Sequence, residues 1–134
     1  MRGTIPISLG LALAAAIFPA HRTTAATDWS KAEPVTVQLE DYRLIPERLV
    51  FRQGVAYRLR LENNGHEMYE FIAQEFLKAV EIGNPEVVGS YGAEIVLQPG
   101  AKRDLLFLAH WPGTYKLTCS DHDWEGMVGE IVVE

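Results

Sequence analysis

Near its end the chain reads Gly113-Thr-Tyr-Lys-Leu-Thr-Cys119-Ser-Asp-His122-Asp-Trp-Glu-Gly-Met127-Val-Gly-Glu-Ile-Val-Val. The first part of this stretch alternates in side-chain character, which predicts a β-strand with Tyr115, Leu117 and Cys119 on one face. A second strand-like run closes the stretch. The segment between the two strands therefore presents Cys119, His122 and Met127 with the spacing C-x2-H-x4-M.

These three side chains suit a single copper ion. A mononuclear copper site that moves one electron uses a soft thiolate, imidazole nitrogens in a near-trigonal plane and a weak axial thioether. One loop can supply three of these ligands when Cys119 ends a strand and His122 and Met127 lie on the turn beyond it. Gly126 would let the backbone bend back toward the metal. A lone Met is usually core filler and a lone His usually a surface residue, but together at this spacing they predict metal binding.

The same stretch resembles the copper loop of plastocyanin-type cupredoxins in its G-T-Y lead-in, its ligand spacing and its closing strand. The resemblance extends upstream, where Asn63-Asn-Gly-His-Glu-Met-Tyr-Glu-Phe71 is similar to the family's first ligand segment. The terminal motif is specific, and the upstream one is only moderately so. The resemblance implies one bound copper ion that cycles between Cu(I) and Cu(II).

The upstream segment departs from the family pattern at one position. Related periplasmic cupredoxins commonly read N-x-G-x-x-x-H-E-F there, with the His as the first copper ligand. In this chain Tyr69 stands at that place, and His66 comes three residues earlier. A strand beginning at His66 would point this side chain away from the copper, whereas a loop over 64–68 would let it turn inward. We include His66 in the expected ligand set, and Tyr69, Glu67 or an empty position remain the alternatives.

Strand-like runs recur along the rest of the chain, with turn residues between them. They are predicted at 35–39, 49–51, 57–61, 69–73, 94–97, 105–109, 114–119 and 128–133. Seven to eight short strands indicate an all-β sandwich or barrel rather than a βαβ fold. The resemblance implies that this fold is a cupredoxin-like Greek-key β-sandwich. One short helical excursion is expected around residues 75–82, and a turn is expected at Asn63-Asn64-Gly65, whose residues tolerate positive φ angles.

The first 26 residues have the order of a secretory signal peptide. Arg2 supplies a positive charge, an apolar run extends from Leu9 to Phe18, and small residues at 24–26 precede the first acidic residue, Asp28. The apolar run is shorter than the roughly 20 residues of a membrane-spanning helix. We therefore expect a signal peptide over 1–26, a domain over 27–134, a periplasmic location and no membrane span after cleavage.

Charge excludes one class of partner. The chain has 12 basic and 18 acidic side chains, and without residues 1–26 the balance becomes ten to 18, a net charge of −8 with His neutral. Such a surface repels phosphate backbones, so we expect no nucleic acid partner but a redox protein with a basic surface. The acidic residues nearest the copper loop are either an ordinary solvated rim or a docking patch for a cation such as Fe(II). They are Asp121, Asp123, Glu125, Glu67 and Glu70.

A periplasmic electron carrier is the function these features favour. Exported domains generally pair their cysteines, so the single Cys119 also points to a thiolate held by a metal. The sequence shows no serine–histidine–acid set, phosphate-binding loop or paired-carboxylate motif, which are the motifs that would indicate an enzyme with an organic substrate. The H-D-W-x-G-M loop is similar to the loops of small exported accessory proteins of bacterial ferrous-iron uptake. This resemblance implies Fe(II) oxidation as an enzymatic activity. The alternatives are a non-cycling copper chaperone or resistance protein, favoured by Tyr69, and a fold that has lost its metal.

Overall fold

The computed structural model describes residues 3, 15–20, 24–119, 122 and 126–134. These residues form ten β-strands and one α-helix, with short 3₁₀ turns at Trp29–Lys31 and Pro85–Val87. The elements in chain order are β1 (Glu33–Glu40), β2 (Arg43–Ile45), β3 (Arg48–Phe51), β4 (Ala56–Asn63), β5 (Tyr69–Ile72), α1 (Gln74–Ala79), β6 (Val80–Ile82), β7 (Glu94–Leu97), β8 (Lys102–Ala109), β9 (Gly113–Thr118) and β10 (Val128–Val133).

The strands form two five-stranded sheets that pack face to face. One sheet has the order β2-β1-β4-β8-β6 and the other the order β3-β10-β9-β5-β7. The pairs β1–β4 and β3–β10 are parallel, and the remaining pairs are antiparallel. Burial follows the two-residue period of a strand: in β4, Tyr57, Leu59 and Leu61 are buried, whereas Arg58 and Arg60 are exposed. The predicted all-β sandwich is confirmed.

All eight predicted strands are present, and two short strands were missed. β2 extends the edge of the first sheet by pairing with β1, and β6 pairs with β8 at the opposite edge. The predicted helical excursion over 75–82 is wrong at its C-terminal end, because the helix stops at Ala79 and Val80–Ile82 continues as a strand. Val80 and Ile82 are β-branched and favour extended backbone, and β8 offers them a hydrogen-bonding edge.

Gly65 is needed for close packing and not for turn conformation. The turn residues Asn63, Asn64 and Gly65 tolerate positive φ but do not adopt it, because the described residues with positive φ are four other glycines. A Cβ atom at Gly65 would overlap Asp41 Oδ1 and lie 2.5 Å from Tyr69 Cε2. Gly126, by contrast, has φ of +95°, as expected for the chain reversal before Met127.

The predicted signal peptide falls largely outside the described part of the chain, since residues 1–2, 4–14 and 21–23 are not described. Its cleavage after Ala26 stays a prediction. Among the residues that the structure describes, no helix has the length and apolar character needed to cross a membrane.

Candidate metal centre

The predicted copper loop closes on itself at one end of the second sheet. Cys119 directly follows β9, and Met127 directly precedes β10. Three backbone hydrogen bonds join the loop: Cys119 N donates to Met127 O (3.1 Å), His122 N to Cys119 O (3.1 Å) and Met127 N to His122 O (3.2 Å). All three residues are buried: Cys119 and Met127 are almost completely buried, and His122 is 8% exposed. The structure thus brings the three predicted loop ligands into one buried turn.

The sulfur of Cys119 receives a hydrogen bond from the neighbouring strand. Glu70 N, in β5, donates to Cys119 Sγ across 3.5 Å. A backbone N–H aimed at sulfur favours the thiolate, which is the form that binds metals. The contact also fixes where the sulfur lies relative to β5, the strand that carries the upstream segment.

His122 is held on several sides. Its Nε2 lies 3.2 Å from Glu67 Oε2. The ring of Tyr42 stacks on the imidazole with centroids 5.2 Å apart and planes inclined by 28°, and the ring of Tyr69 meets it edge-on with centroids 5.0 Å apart. Tyr42 OH in turn donates to Glu67 Oε1 across 3.0 Å. The orientation of His122 is therefore fixed by three side chains from outside its own loop.

His66 does not join the buried loop side chains. Residues 64–68 do form a loop before β5, which is the arrangement that would have let His66 turn inward. Asp41 instead holds it outside: His66 N donates to Asp41 Oδ1 (3.1 Å), and His66 Nδ1 lies 2.6 Å from Asp41 Oδ2. The His66 side chain is 93% exposed, whereas Cys119 and Met127 are buried. This placement argues against the expectation that His66 is the fourth ligand.

Tyr69 occupies the family's histidine position and is fully buried. Its hydroxyl donates to Asp41 Oδ1. Burial, followed by the hydrogen bond to Asp41, raises the pKa of Tyr69 well above its usual value. Conversely, the hydrogen bond from Tyr69 and then those from His66 lower the pKa of Asp41 to about 2. The Tyr69 hydroxyl is therefore engaged with a carboxylate outside the copper loop, which argues against Tyr69 as the fourth ligand.

Asn63 shapes the loop that carries Glu67. This buried side chain donates from Nδ2 to Glu67 O (2.7 Å) and to Leu97 O (3.0 Å), and its Oδ1 accepts from Gly65 N (2.9 Å). Both donor hydrogens and the acceptor of one amide are thus used on the backbone around the site. The contacts fasten the 63–67 segment to β7 and set the position of Glu67.

Asp41 and Tyr42 were missed by the sequence reasoning. Both lie in the turn between β1 and β2, and they contact residues 25 to 28 positions later in the chain. No motif marks them. Their position follows from the parallel register of β1 and β4 in the folded sheet. This register pairs Leu39 with Asn63 and so places the two following turns side by side.

The acidic rim is described only in part. Asp121, Asp123 and Glu125 lie outside the described residues. Glu67 contacts His122 through its carboxylate, whereas Glu70 contacts Cys119 only through its backbone N–H. Among the described residues, no group of three or more His, Cys, Asp and Glu side chains is arranged to hold a metal ion.

The donor set at the loop fits copper. It consists of a thiol, an imidazole and a thioether, and soft sulfur with imidazole nitrogen suits copper better than hard cations, which prefer oxygen. The N–H bond to Cys119 Sγ and the burial of both sulfur side chains are consistent with such a centre. Of the His residues that the structure describes, His122 alone is buried, so the set is one imidazole short of the family pattern.

Comparison with known proteins agrees with this architecture. A family model described as "Cupredoxin-like domain" matches residues 9–133, a range that begins inside the predicted signal peptide. No curated protein matches the chain.

Among solved structures, auracyanin B aligns with a TM-score of 0.57 and 16% identity over 83% of this chain and 93% of its own. Dithionite-reduced auracyanin from the photosynthetic bacterium Roseiflexus castenholzii aligns with a TM-score of 0.57 and 16% identity over 77% and 98%. Auracyanin A from Chloroflexus aurantiacus, described as a "blue" copper protein, gives 0.52 and 18% over 75% and 99%. These likenesses show the shared fold, and the match to the family model over residues 9–133 shows that the chain belongs to the cupredoxin-like domain family.

Proposed function

We propose that this chain is an exported, periplasmic cupredoxin that binds one copper ion through Cys119, His122 and Met127 and carries single electrons. The observation that carries the proposal is the hydrogen bond from Glu70 N to the buried Cys119 Sγ, within a loop whose other two ligand residues are also buried. Copper bound there would supply one-electron chemistry between Cu(I) and Cu(II).

In this function, the rest of the chain restrains the three ligand side chains and shields them from water. A centre that changes charge works best when its ligands move little, and the three backbone bonds among Cys119, His122 and Met127 restrain the loop. Burial of the two sulfur side chains keeps water away from them. Auracyanin A, which has the same fold, is described as a "blue" copper protein, and this likeness supports the proposal by analogy.

The test is spectroscopic. Protein titrated with Cu(II) should develop a thiolate-to-copper absorption band and a matching EPR signal, with one copper per chain, and Cys119→Ala should abolish the band. A wild-type protein that gives no such band, or a Cys119→Ala variant that retains it, would refute copper binding at this loop.

A second candidate is a copper-binding module that does not cycle, such as a chaperone or resistance protein. The observation that favours it is Tyr69, which takes the family's histidine position and is buried against Asp41. Voltammetry of the copper-loaded protein distinguishes the two. A reversible one-electron wave supports the carrier, whereas an irreversible response with tight copper retention supports the module.

If the protein is an electron carrier, Fe(II) is the electron donor that we propose for it. Support comes from the H-D-W-x-G-M loop and from the acidic side chains around it in sequence. One Fe(II) would be oxidised to Fe(III) as one Cu(II) is reduced to Cu(I), so each step moves a single electron. Stopped-flow mixing of Cu(II)-loaded protein with Fe(II) should bleach the thiolate band, and an unchanged band would exclude iron as the electron donor.

The partner and the location are proposed on charge and on the N-terminal sequence. A net charge of −8 over residues 27–134 favours a redox partner with a basic surface. The rate of electron exchange with such a partner should fall as salt rises. N-terminal sequencing of protein recovered from the periplasm should begin at Thr27, and full-length protein retained in the cytoplasm would contradict export.

A further inference from the structure

We infer that Glu67 is a positioning residue of the copper site and not its fourth ligand. It binds the outer edge of His122 through Nε2, so that Nδ1 is the nitrogen presented toward Cys119 and Met127. This inference rests on the proposed function, because it assigns a role to Glu67 within that same site.

The two edges of the His122 ring face different surroundings. Glu67 Oε2 lies 3.2 Å from His122 Nε2, and the Glu67 side chain is 49% exposed while that of His122 is only 10% exposed. The carboxylate therefore meets the imidazole from the solvent side. The side chains of Cys119 and Met127 are almost fully buried, so they would hold a metal from the buried side of the site.

Glu67 is itself anchored at three points. Its Oε1 accepts from Tyr42 OH (3.0 Å), its Oε2 contacts His122, and its backbone carbonyl accepts from Asn63 Nδ2 (2.7 Å). The Tyr42 ring also stacks on the imidazole that Glu67 holds. Both carboxylate oxygens are thus engaged on the outer edge of the site, which leaves this side chain a poor candidate for direct ligation.

The chemistry of imidazole turns this contact into a choice of ligand atom. A neutral imidazole has one N–H and one lone pair, so a ring that donates from Nε2 carries its lone pair on Nδ1. Metal-binding histidines commonly donate their second nitrogen to a carboxylate, and loss of that partner typically lowers metal affinity by about 10- to 100-fold. Glu67 supplies this partner to His122 from a different segment of the chain.

The first experiment needs no copper. In mildly alkaline buffer, ¹⁵N NMR of the His122 ring in metal-free protein should show the Nε2–H tautomer. Glu67→Gln retains a carbonyl oxygen that can accept from Nε2–H and should keep that tautomer, whereas Glu67→Ala should give a mixture. Glu33→Gln is the matched control, because Glu33 is also half exposed, with one contact to Arg52 at the far end of β1.

The second experiment measures copper. Glu67→Ala should weaken copper binding by about 10- to 100-fold while keeping the thiolate band and the EPR donor pattern, and Glu67→Gln should recover most of the affinity. An Nδ1–H tautomer in the wild-type protein would overturn the inference. So would a copper affinity unaffected by Glu67→Ala, or an EPR donor pattern changed alike in both variants, which would mark Glu67 as a ligand. Failure of the wild-type protein to form the thiolate band would instead refute the proposed function. The tautomer measurement would still test the contact between Glu67 and His122, because it uses metal-free protein.

Discussion

Replacing Asn63 with Ala removes the side chain that fastens the Glu67 loop to the sandwich. Asn63 is 1% exposed, and its amide makes three hydrogen bonds to backbone groups of Glu67, Leu97 and Gly65. The substitution deletes all three at once. It also leaves two carbonyl oxygens and one N–H without this partner in a partly buried place, where water replaces it poorly.

The size of the effect follows from these contacts. Each hydrogen bond contributes about 0.5–1.5 kcal/mol net, so the loss of three should lower the free energy of unfolding by about 3 kcal/mol. Unfolding entropy is about 2.1 cal/mol/K per residue, which for the 108 residues of the predicted domain over 27–134 places the fall in Tm at about 13 °C. Because Glu67 would lose the anchor on its carbonyl oxygen, copper affinity should fall as well.

Urea denaturation of metal-free protein measures this difference directly. Asn64→Ala is the matched control, because Asn64 is the exposed neighbour and its loss should change stability by no more than about 0.5 kcal/mol. The reasoning is refuted if Asn63→Ala costs no more than Asn64→Ala. It is also refuted if Asn63→Asp, which puts a carboxylate oxygen against the two carbonyls, is as stable as the wild-type protein.

Three further predictions concern the contacts around Asp41. Gly65→Ala should lower the free energy of unfolding by about 1–3 kcal/mol, because the added methyl overlaps Asp41 Oδ1 and the Tyr69 ring, and an unchanged urea midpoint would contradict this packing. The folded-state pKa of Asp41 is lowered from 3.8 to about 2, so its contribution to stability is present above about pH 4 and is lost as pH falls toward 2. Asp41→Asn should therefore flatten the pH dependence of the urea midpoint in that range, and an unaltered slope would count against the contact. His66→Ala should leave the EPR spectrum of the copper-loaded protein unchanged, since His66 is exposed and bound to Asp41, and an altered spectrum would restore it as a ligand.

Local pattern was sufficient for the eight longer strands, but not for the short edge strands β2 and β6. The alternation of Tyr57, Leu59 and Leu61 with Arg58 and Arg60 reports directly which side of β4 faces the core, because a strand has a period of two. Short apolar runs are less decisive. The apolar run that begins in α1 continues into Val80–Ile82. Those three residues are extended because they pair with the neighbouring strand β8.

The surroundings of the metal site depend on contacts that no local pattern encodes. His66 has the residue type and nearly the position of a ligand, but Asp41 binds it outside the site. Tyr42 and Glu67 meet on His122 only because β1 and β4 run in parallel and bring their following turns together. Sequence reasoning had no means to establish that register in advance. It could predict Cys119, His122 and Met127 as candidate copper ligands, but not the groups that orient the imidazole of His122.

The most direct test of the central claim is a Cu(II) titration of metal-free protein, followed by its thiolate-to-copper absorption, in the wild type and in Cys119→Ser. The wild-type band should rise to saturation at one copper per chain, and Cys119→Ser, which keeps a side chain of nearly the same shape, should show no band. A wild-type protein without the band, or a Cys119→Ser variant with the same spectrum, would contradict copper binding by Cys119.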